Sequence, residues 1–568
     1  MTPTFDQLGG YGAANIVLDE HHTSASLQHP YTSANTAAPH RVLGFGLSGP
    51  YGPAIKPMND GDWHKKNYLD QAEWVEGRGF VPNQVSMVEG SSKPEDDSGG
   101  EGPHDLKRRA RFDECLRRET SNTRTMGACL RCHNQRVRCT PNKLDRKSPH
   151  APCETCLRVR RDSKKTIHNL PCVRFKVTSM TIYRAGGLGY TMRFDHTKVM
   201  DVFDPSDSAV YDIEITQGLC SSPLRLRVRR FKPEQTDKTH VMYMDGSVPK
   251  TQDTGAFCLA DVEKTARDFN EYIGHNALAG LKKAVEHSDD IVQDVFAMIA
   301  THCNSLPAAI KTEDGEGTKE ARKTPDEKGF LQKIVRLWFA IRHGAGSAWL
   351  CGKEDLGLSP GLGPGHPLPG QIVSRMIVAQ FDSIRHERVY KKLAPEVLRT
   401  VDTFLTSCNK KAWFTVFLAT FLLLHQTACT SQDRYRHVKQ NSRGKPLDTR
   451  YGDLHLPLTI LVEEVHHSAV MLLAHWQYFK RCDLMNFNWD DRADSALVSL
   501  KPYQVKFVKR IVDRLKERLP SIPAAPADGC WEHELFWVSK MFVSEPSPKG
   551  DWTPPEMFTR AKPSVGRE

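Results

Sequence analysis

Six cysteines fall within 44 residues of this 568-residue chain, at the spacing Cys129-x2-Cys132-x6-Cys139-x13-Cys153-x2-Cys156-x15-Cys172. A C-x2-C pair brings two thiolates round one tight turn onto a tetrahedral metal, with Zn–S near 2.3 Å. Two such pairs, with two further cysteines among many lysines and arginines, point to zinc rather than to chance. Two arrangements fit the spacing. Cys129, Cys132, Cys153 and Cys156 can form one four-cysteine site of the zinc-ribbon type. Alternatively, all six thiolates hold two Zn2+ ions, and each ion reaches four ligands only if two sulfurs bridge. The gap between Cys132 and Cys139 favours the second arrangement, because HNQRVR suits a short helix held at both ends by metal. The net negative charge of such a cluster is offset by the surrounding Arg and Lys side chains.

The basic residues are concentrated on the same segment. Residues 106–178 hold 20 Lys/Arg against 6 Asp/Glu, while the rest of the chain holds 58 against 62. The whole positive excess of this +10 chain therefore lies beside the cysteines, the electrostatic footprint of a polyanion partner. Residues 1–10 have no basic region followed by an apolar run, so no secretory signal is expected. Without an oxidising compartment, clustered cysteines read as metal ligands rather than disulfides. The longest apolar run, 413–424, is too short for a bilayer, which needs about 20 residues, and reads as a buried core helix. A soluble, intracellular protein with no membrane partner is expected.

The elements that must position the cysteines follow from the flanking pattern. Residues 1–105 are rich in Gly, Pro, Ser, His and Asn and read as a disordered tail. Residues 106–178 form the basic cysteine domain, opening with a short basic helix over 106–120. Residues 179–254 form a connecting segment with strands, the expected strands being VTSMTIYRA, AVYDIEITQ and LRLRVRRF. Residues 255–545 read as a helical domain, with helices expected over 255–305, 371–406, 410–428, 455–482, 496–518 and 530–544. In FLQKIVRLWFAIRH, Leu331, Ile334, Leu337, Trp338 and Ile341 share one helical face. Residues 311–329 read as a charged linker, 357–370 as a loop and 546–568 as a flexible tail. The fold class is thus mostly α: a small cluster domain, a short strand-containing segment and a large helical C-terminal domain.

ACLRCHNQRVRC followed by PCETC resembles the fungal Zn2Cys6 binuclear-cluster transcription factors. The resemblance rests on C-x2-C-x6-C, on basic residues between the second and third cysteines, on Pro152 and on the second C-x2-C. It implies two zinc ions, with Cys129 and Cys153 as the bridging ligands. ITQGLCSSPLRLRVRRFKP, IVRLWFAIRH and WFTVFLATFLLLH resemble segments of a large subgroup that carries a helical C-terminal domain. One feature departs from the family: its last two cysteines usually lie about six to nine residues apart, whereas Cys156 and Cys172 are separated by 15, with Ser163 at the shorter spacing. Cys172 is taken as the sixth ligand through a longer loop, with His168 as the alternative.

A short metal-held helix can enter the major groove of double-stranded DNA, where an arginine donates two hydrogen bonds to guanine O6 and N7. The resemblance implies that the basic residue four positions after the second cysteine reads a CGG-like triplet, which here is Arg136. His133 and Arg138 flank it. Arg131, Lys143, Arg158, Arg160 and Arg161 are expected on phosphates, which give affinity and salt dependence without sequence choice. Lys107, Arg108, Arg109 and Arg111 suit a nuclear-import signal, a phosphate-binding arm or simply a basic helix. The expected function is a nuclear, zinc-dependent transcription regulator of RNA polymerase II genes, with the transcription machinery or co-regulators as further partners. The alternative is a zinc-stabilised interaction module without sequence-specific DNA binding. No heptads follow Cys172, so monomer and dimer both remain open.

Other signals are weaker. Glu463, Glu464, His466 and His467 have helical spacing for a metal but no third ligand set. The glycines at 186, 187 and 189 lack the Lys-Ser/Thr of a phosphate loop and read as a turn. No Ser/His/Asp or Cys/His constellation is defined by spacing, and no enzymatic activity is expected.

Overall fold

Among the described residues of the cysteine segment are three helices: α1 (Glu114–Met126), α2 (Leu130–Asn134) and α3 (Glu154–Asp162). α2 and α3 each begin one residue after the first cysteine of a C-x2-C pair, so metal-ligand spacing and helix starts coincide. The computed structural model describes residues 113–142, 152–162, 172–307, 326–358, 370–441, 458–480, 482–490, 496–523 and 533–543, with short gaps at 175, 185, 196, 199, 246–247, 346 and 408. The expected tails at 1–105 and 546–568 lie outside the described residues. So do Lys143, Ser163, His168 and the basic run 107–111.

After Cys172 the chain runs along the helical body. VTSMTIYRA, expected as a strand, forms a single 3-10 turn (Val177–Ser179) and an extended strap. Its apolar residues are nonetheless buried, Val177, Met180 and Ile182, at spacings of three and two rather than in strict alternation. They pack on helices rather than in a sheet, and the Thr181 N–H donates to the Ser468 hydroxyl at 2.7 Å.

The strands expected at AVYDIEITQ and LRLRVRRF are present as β1 (Pro205–Thr216) and β2 (Leu224–Phe231). They pair antiparallel, with Ile213 opposite Leu226 and Ile215 opposite Leu224 on the buried face. Arg225 reaches across to Glu214 at 3.0 Å on the exposed face. A separate hairpin joins β3 (His240–Asp245) to β4 (Val248–Asp253), and β5 (Phe257–Leu259) and β6 (Trp349–Leu350) complete a sheet of order β5-β2-β1-β6.

The helical body comprises α4 (Val262–Ala284), α5 (Asp290–Ser305), α6 (Glu327–Ala345), α7 (Arg375–Ile384), α8 (Lys391–Ser407), α9 (Trp413–Asn441), α10 (Leu458–Lys480), α11 (Pro502–Arg518) and the short α12 (Phe536–Ser539). Asp261 caps α4 by accepting the Lys264 N–H, and Asp289 caps α5 by accepting the Ile291 N–H. α9 carries the apolar run. The stretch Lys410–Asp433 is long and apolar enough to cross a membrane by composition, yet its most apolar 18 residues are wholly buried inside the body. Trp413 stacks on Phe417 at 5.5 Å and meets Trp476 of α10 at 5.5 Å. Sheet, strap and helices share one continuous apolar core from Val177 to Phe542. The mostly α class holds.

Between α7 and α8 a π-helical turn, Arg385–Tyr390, keeps the chain helical. Asp382 is buried beside it, paired with Arg184 from the strap region and with Arg385 at 3.4 Å. Burial alone would raise the Asp382 carboxyl, but the two guanidinium groups outweigh it and hold it at about 2. The same carboxylate accepts the Gly187 N–H at 3.1 Å. An acid already sits on the glycine turn, which is the reverse of a phosphate site. Gly186 is tight for a different reason, since an added Cβ would lie 2.7 Å from the His386 ring.

Candidate metal centre and nucleic-acid interface

The six cysteines form two halves built alike. Cys129, the N-cap of α2, has extended backbone (φ −66°, ψ 155°), and its Sγ accepts the Cys132 N–H at 3.4 Å. Cys153 stands just before α3, and its Sγ accepts the Cys156 N–H at 3.2 Å. Each leading cysteine then gives its own N–H to a third thiol. Cys129 donates to Cys139 Sγ at 3.4 Å, and Cys153 donates to Cys172 Sγ at 3.4 Å. The halves meet through sulfur: Cys129–Cys153 is 3.9 Å, Cys129–Cys156 is 3.5 Å and Cys132–Cys153 is 3.8 Å.

These separations suit metal. Four sulfurs each about 2.3 Å from one tetrahedral zinc lie about 3.8 Å from one another. The sulfurs of Cys129, Cys132, Cys153 and Cys156 all lie within 4.8 Å of one another, and all four residues are buried. Cys139 is also buried, and the partly exposed Cys172 packs against the same group. Thiols this close compete for protons: the hydrogen bond shared by Cys129 and Cys132 pushes the first up and holds the second down at about 4. N–H donors aimed at sulfur are the support that thiolate ligands need.

Backbone and hydroxyl bonds lock the two halves. Thr155 Oγ1 donates to Arg138 O at 2.8 Å and accepts the Thr140 N–H at 3.1 Å. Glu154 N–H donates to Thr140 O at 3.0 Å. α1 joins through Thr123, whose hydroxyl donates to Cys139 O at 3.1 Å. The returning strand joins through the Leu130 N–H, which donates to Val173 O at 2.7 Å.

The predicted reading residue occupies an unusual backbone position. Arg136 has φ +53°, in the left-handed region. Its N–H donates to His133 O at 3.1 Å, and the Val137 N–H donates to Cys132 O at 3.0 Å. This pair of bonds is the Schellman ending of a helix, in which glycine normally takes the left-handed place. An arginine there costs about 1–2 kcal/mol of backbone energy. The turn leaves Arg136 exposed, flanked by exposed His133 and Arg138.

The other expected contacts divide. Arg158 is exposed on α3. Arg160 and Arg161 belong to the same helix, but their side chains lie outside the described residues, as does Lys143. Arg131 differs from expectation, being only 1% exposed and so not presented to a phosphate. Its position in the first turn of α2 turns it inward. Tyr478, near the end of α10, is buried close by: burial raises its hydroxyl, the charges of Cys156 and Cys129 add to this, and Arg131 opposes them.

Sequence reasoning missed Arg174. Its guanidinium donates to Cys139 Sγ at 3.9 Å, and the charges of Cys172 and Cys139 raise its pKa against the effect of burial. The signal was its place two residues after Cys172, where the chain returns to the cluster. Arg117, Arg118 and Arg124 are exposed on α1. The alternative metal set on α10 gains no support: His466 is buried with its ring 5.1 Å from that of Trp537, and the side chains of Glu463 and Glu464 lie outside the described residues.

A family model described as the KpeA transcription factor matches residues 189–541, from the glycine turn through the sheet and the helical body to α12. That span begins after the cysteine module. No curated protein and no solved structure matches the chain. The match covers more than half of the chain, and the chain therefore belongs to the KpeA transcription factor family.

Proposed function

We propose that this transcription factor binds double-stranded DNA in the nucleus through residues 106–178, using two zinc ions held by Cys129, Cys132, Cys139, Cys153, Cys156 and Cys172. Family membership supports the regulatory role. The observation that carries the binuclear reading is the repeated bonding of the two halves, in which Cys129 and Cys153 each accept one N–H and direct another onto a third thiol. A single four-cysteine site gives Cys139 and Cys172 no part. In the binuclear arrangement all six thiolates would hold metal, with Cys129 and Cys153, each of which approaches a sulfur of the other half, as the shared ligands. Zinc supplies charge and cross-linking, while the protein's N–H donors and Arg174 stabilise the thiolates.

Arg136 is the base-reading residue in this proposal. The turn lifts it clear of the cluster at the end of α2, where a guanidinium can meet guanine O6 and N7. His133, Arg138 and Arg158 line the approach, with phosphates as their natural partners. The helical body serves regulation and contacts with co-regulators, and no residue set in this proposal gives it catalysis. The test is selection of DNA sites from a random duplex pool by the full chain, with bound zinc counted in the same sample. Two zincs per chain and enrichment of a CGG-like motif are expected; one zinc and no enrichment would overturn the proposal.

A further inference from the structure

A nucleophile, a base and a carboxylate meet in the helical body, far along the chain from the cysteine module. His425 and Cys429 lie one turn apart on α9, and Cys429 Sγ is 3.8 Å from His425 Nδ1 and 3.9 Å from Nε2. His425 Nε2 is 3.4 Å from Oε2 of Glu534, which precedes α12. The other oxygen of Glu534 accepts the Asp289 N–H at 2.5 Å, so the carboxylate is fixed from two sides. The Phe296 ring packs edge-on against the His425 ring at 5.1 Å. Arg342 of α6 faces the same thiol and lies 3.9 Å from Asp433, one turn beyond Cys429.

The setting favours a charged pair. Burial alone would lower His425, but Cys429 and Glu534 outweigh it and hold it at about 9. Burial alone would raise Cys429, but His425 and Arg342 outweigh it and pull the thiol down. Cys258, Cys303, Cys351 and Cys482 go the other way, all raised chiefly by burial. Thiolate, not thiol, is the reactive form of cysteine.

We propose that Cys429, His425 and Glu534 form a peroxide-reactive thiol site in the helical body. Cys429 is buried, at 9% exposure, so the co-reactant proposed for it is a small neutral oxidant, hydrogen peroxide. The thiolate sulfur attacks one oxygen of hydrogen peroxide, forming an S–O bond as the O–O bond breaks. The departing hydroxide takes the proton of the His425 imidazolium and leaves as water. Sulfur loses two electrons to the peroxide, giving a sulfenic acid beside a neutral imidazole. The ion pair is then gone, and with it the charge that holds His425 to Glu534, so the reaction couples α9 to the segment before α12.

The zinc-loaded full chain, treated with hydrogen peroxide for a set time, then freed of peroxide, unfolded in the presence of dimedone and digested for mass spectrometry, tests this. Cys429 is expected to gain the dimedone adduct about tenfold faster than the exposed Cys351, which has no imidazole partner among the described residues. His425→Asn is expected to bring Cys429 down to the Cys351 rate, with its thermal transition recorded to show that it folds. Equal or faster labelling of Cys351 in the wild-type chain would overturn the proposal. That ranking needs no variant, so it decides the matter even if His425→Asn does not fold.

Discussion

The cysteine module buries sulfur where the helical body buries rings. In the module, the buried side chains that bring α2 and α3 together are cysteines, and few apolar residues accompany them. In the body, Trp413, Phe414, Phe417, Phe421 and Trp476 stand at the centre of a core that continues into the sheet. A segment of this size buries little apolar surface, and in the proposed arrangement zinc would supply the missing cross-links. The body needs none, because apolar burial suffices. On the zinc proposal, one chain joins a fold that would depend on chelation to one that depends on hydrophobic packing, and each is expected to be sensitive to changes the other tolerates.

Removal of zinc is the largest expected break in this comparison. Structural zinc contributes about 10–16 kcal/mol to small domains of this kind. Excess chelator, or Cys153→Ala at the sulfur shared by the halves, is expected to abolish DNA binding and leave the body's thermal transition within a few degrees. Circular dichroism with a parallel binding titration checks both. Simultaneous loss of the body would show that the two regions are not separately stabilised.

Acid is expected to strike the body on its own terms. Burial holds His302, His386 and His466 neutral down to about 4 and His343 down to about 3. An unfolded histidine titrates near 6.5, so between about 6.5 and 4 the unfolded chain takes up protons that the folded chain refuses. Stability is therefore full above 6.5 and falls as the pH drops through that window, by up to about 1.4 kcal/mol per pH unit for each group. His425, held at about 9, acts in reverse, its contribution being lost as the pH rises from 6.5 towards 9. Calorimetry of chelator-treated protein at several pH values isolates the body.

Trp413→Ala is expected to cost the body about 3–5 kcal/mol, since the fully buried ring contacts both Phe417 and Trp476. Zinc content should not change, and metal analysis beside a denaturant titration reads both quantities.

The smallest effects sharpen the comparison most. Arg136→Ala is expected to weaken DNA binding by about 1–3 kcal/mol and relax base preference. Arg136→Gly should lose the same contact yet hold zinc more firmly than the Ala variant, by about 1 kcal/mol, because glycine accepts the left-handed turn freely. Competition with a calibrated chelator measures this. Equal zinc retention in the two variants would remove strain from the account of Arg136.

Much of the site was legible in the residues. The C-x2-C pairs, the six-residue gap and the local positive excess are one-dimensional facts, and metal-binding spacing needs only short-range geometry. The strands at 205–216 and 224–231 and the helix through Leu331 and Ile341 were legible because one buried face imposes a period of two or of 3.6. The strap at 177–182 misled because β-branched and apolar residues mark a buried stretch without naming the partner that buries it. The His425–Cys429 pair was present as an i, i+4 spacing, but spacing could not show that Glu534, 105 positions beyond Cys429, completes it.

The sequence by itself determined which residues can bind metal, where positive charge gathers and which stretches bury an apolar face, because these depend on residue type and local period. Tertiary structure alone decided that Arg131 turns inward while Arg136 stays exposed, and that Arg174 returns to Cys139. It also decided that Cys172, across its longer loop, receives the Cys153 N–H. Each of these depends on what lies next to a residue in space, and loop closure sets that neighbour rather than chain distance.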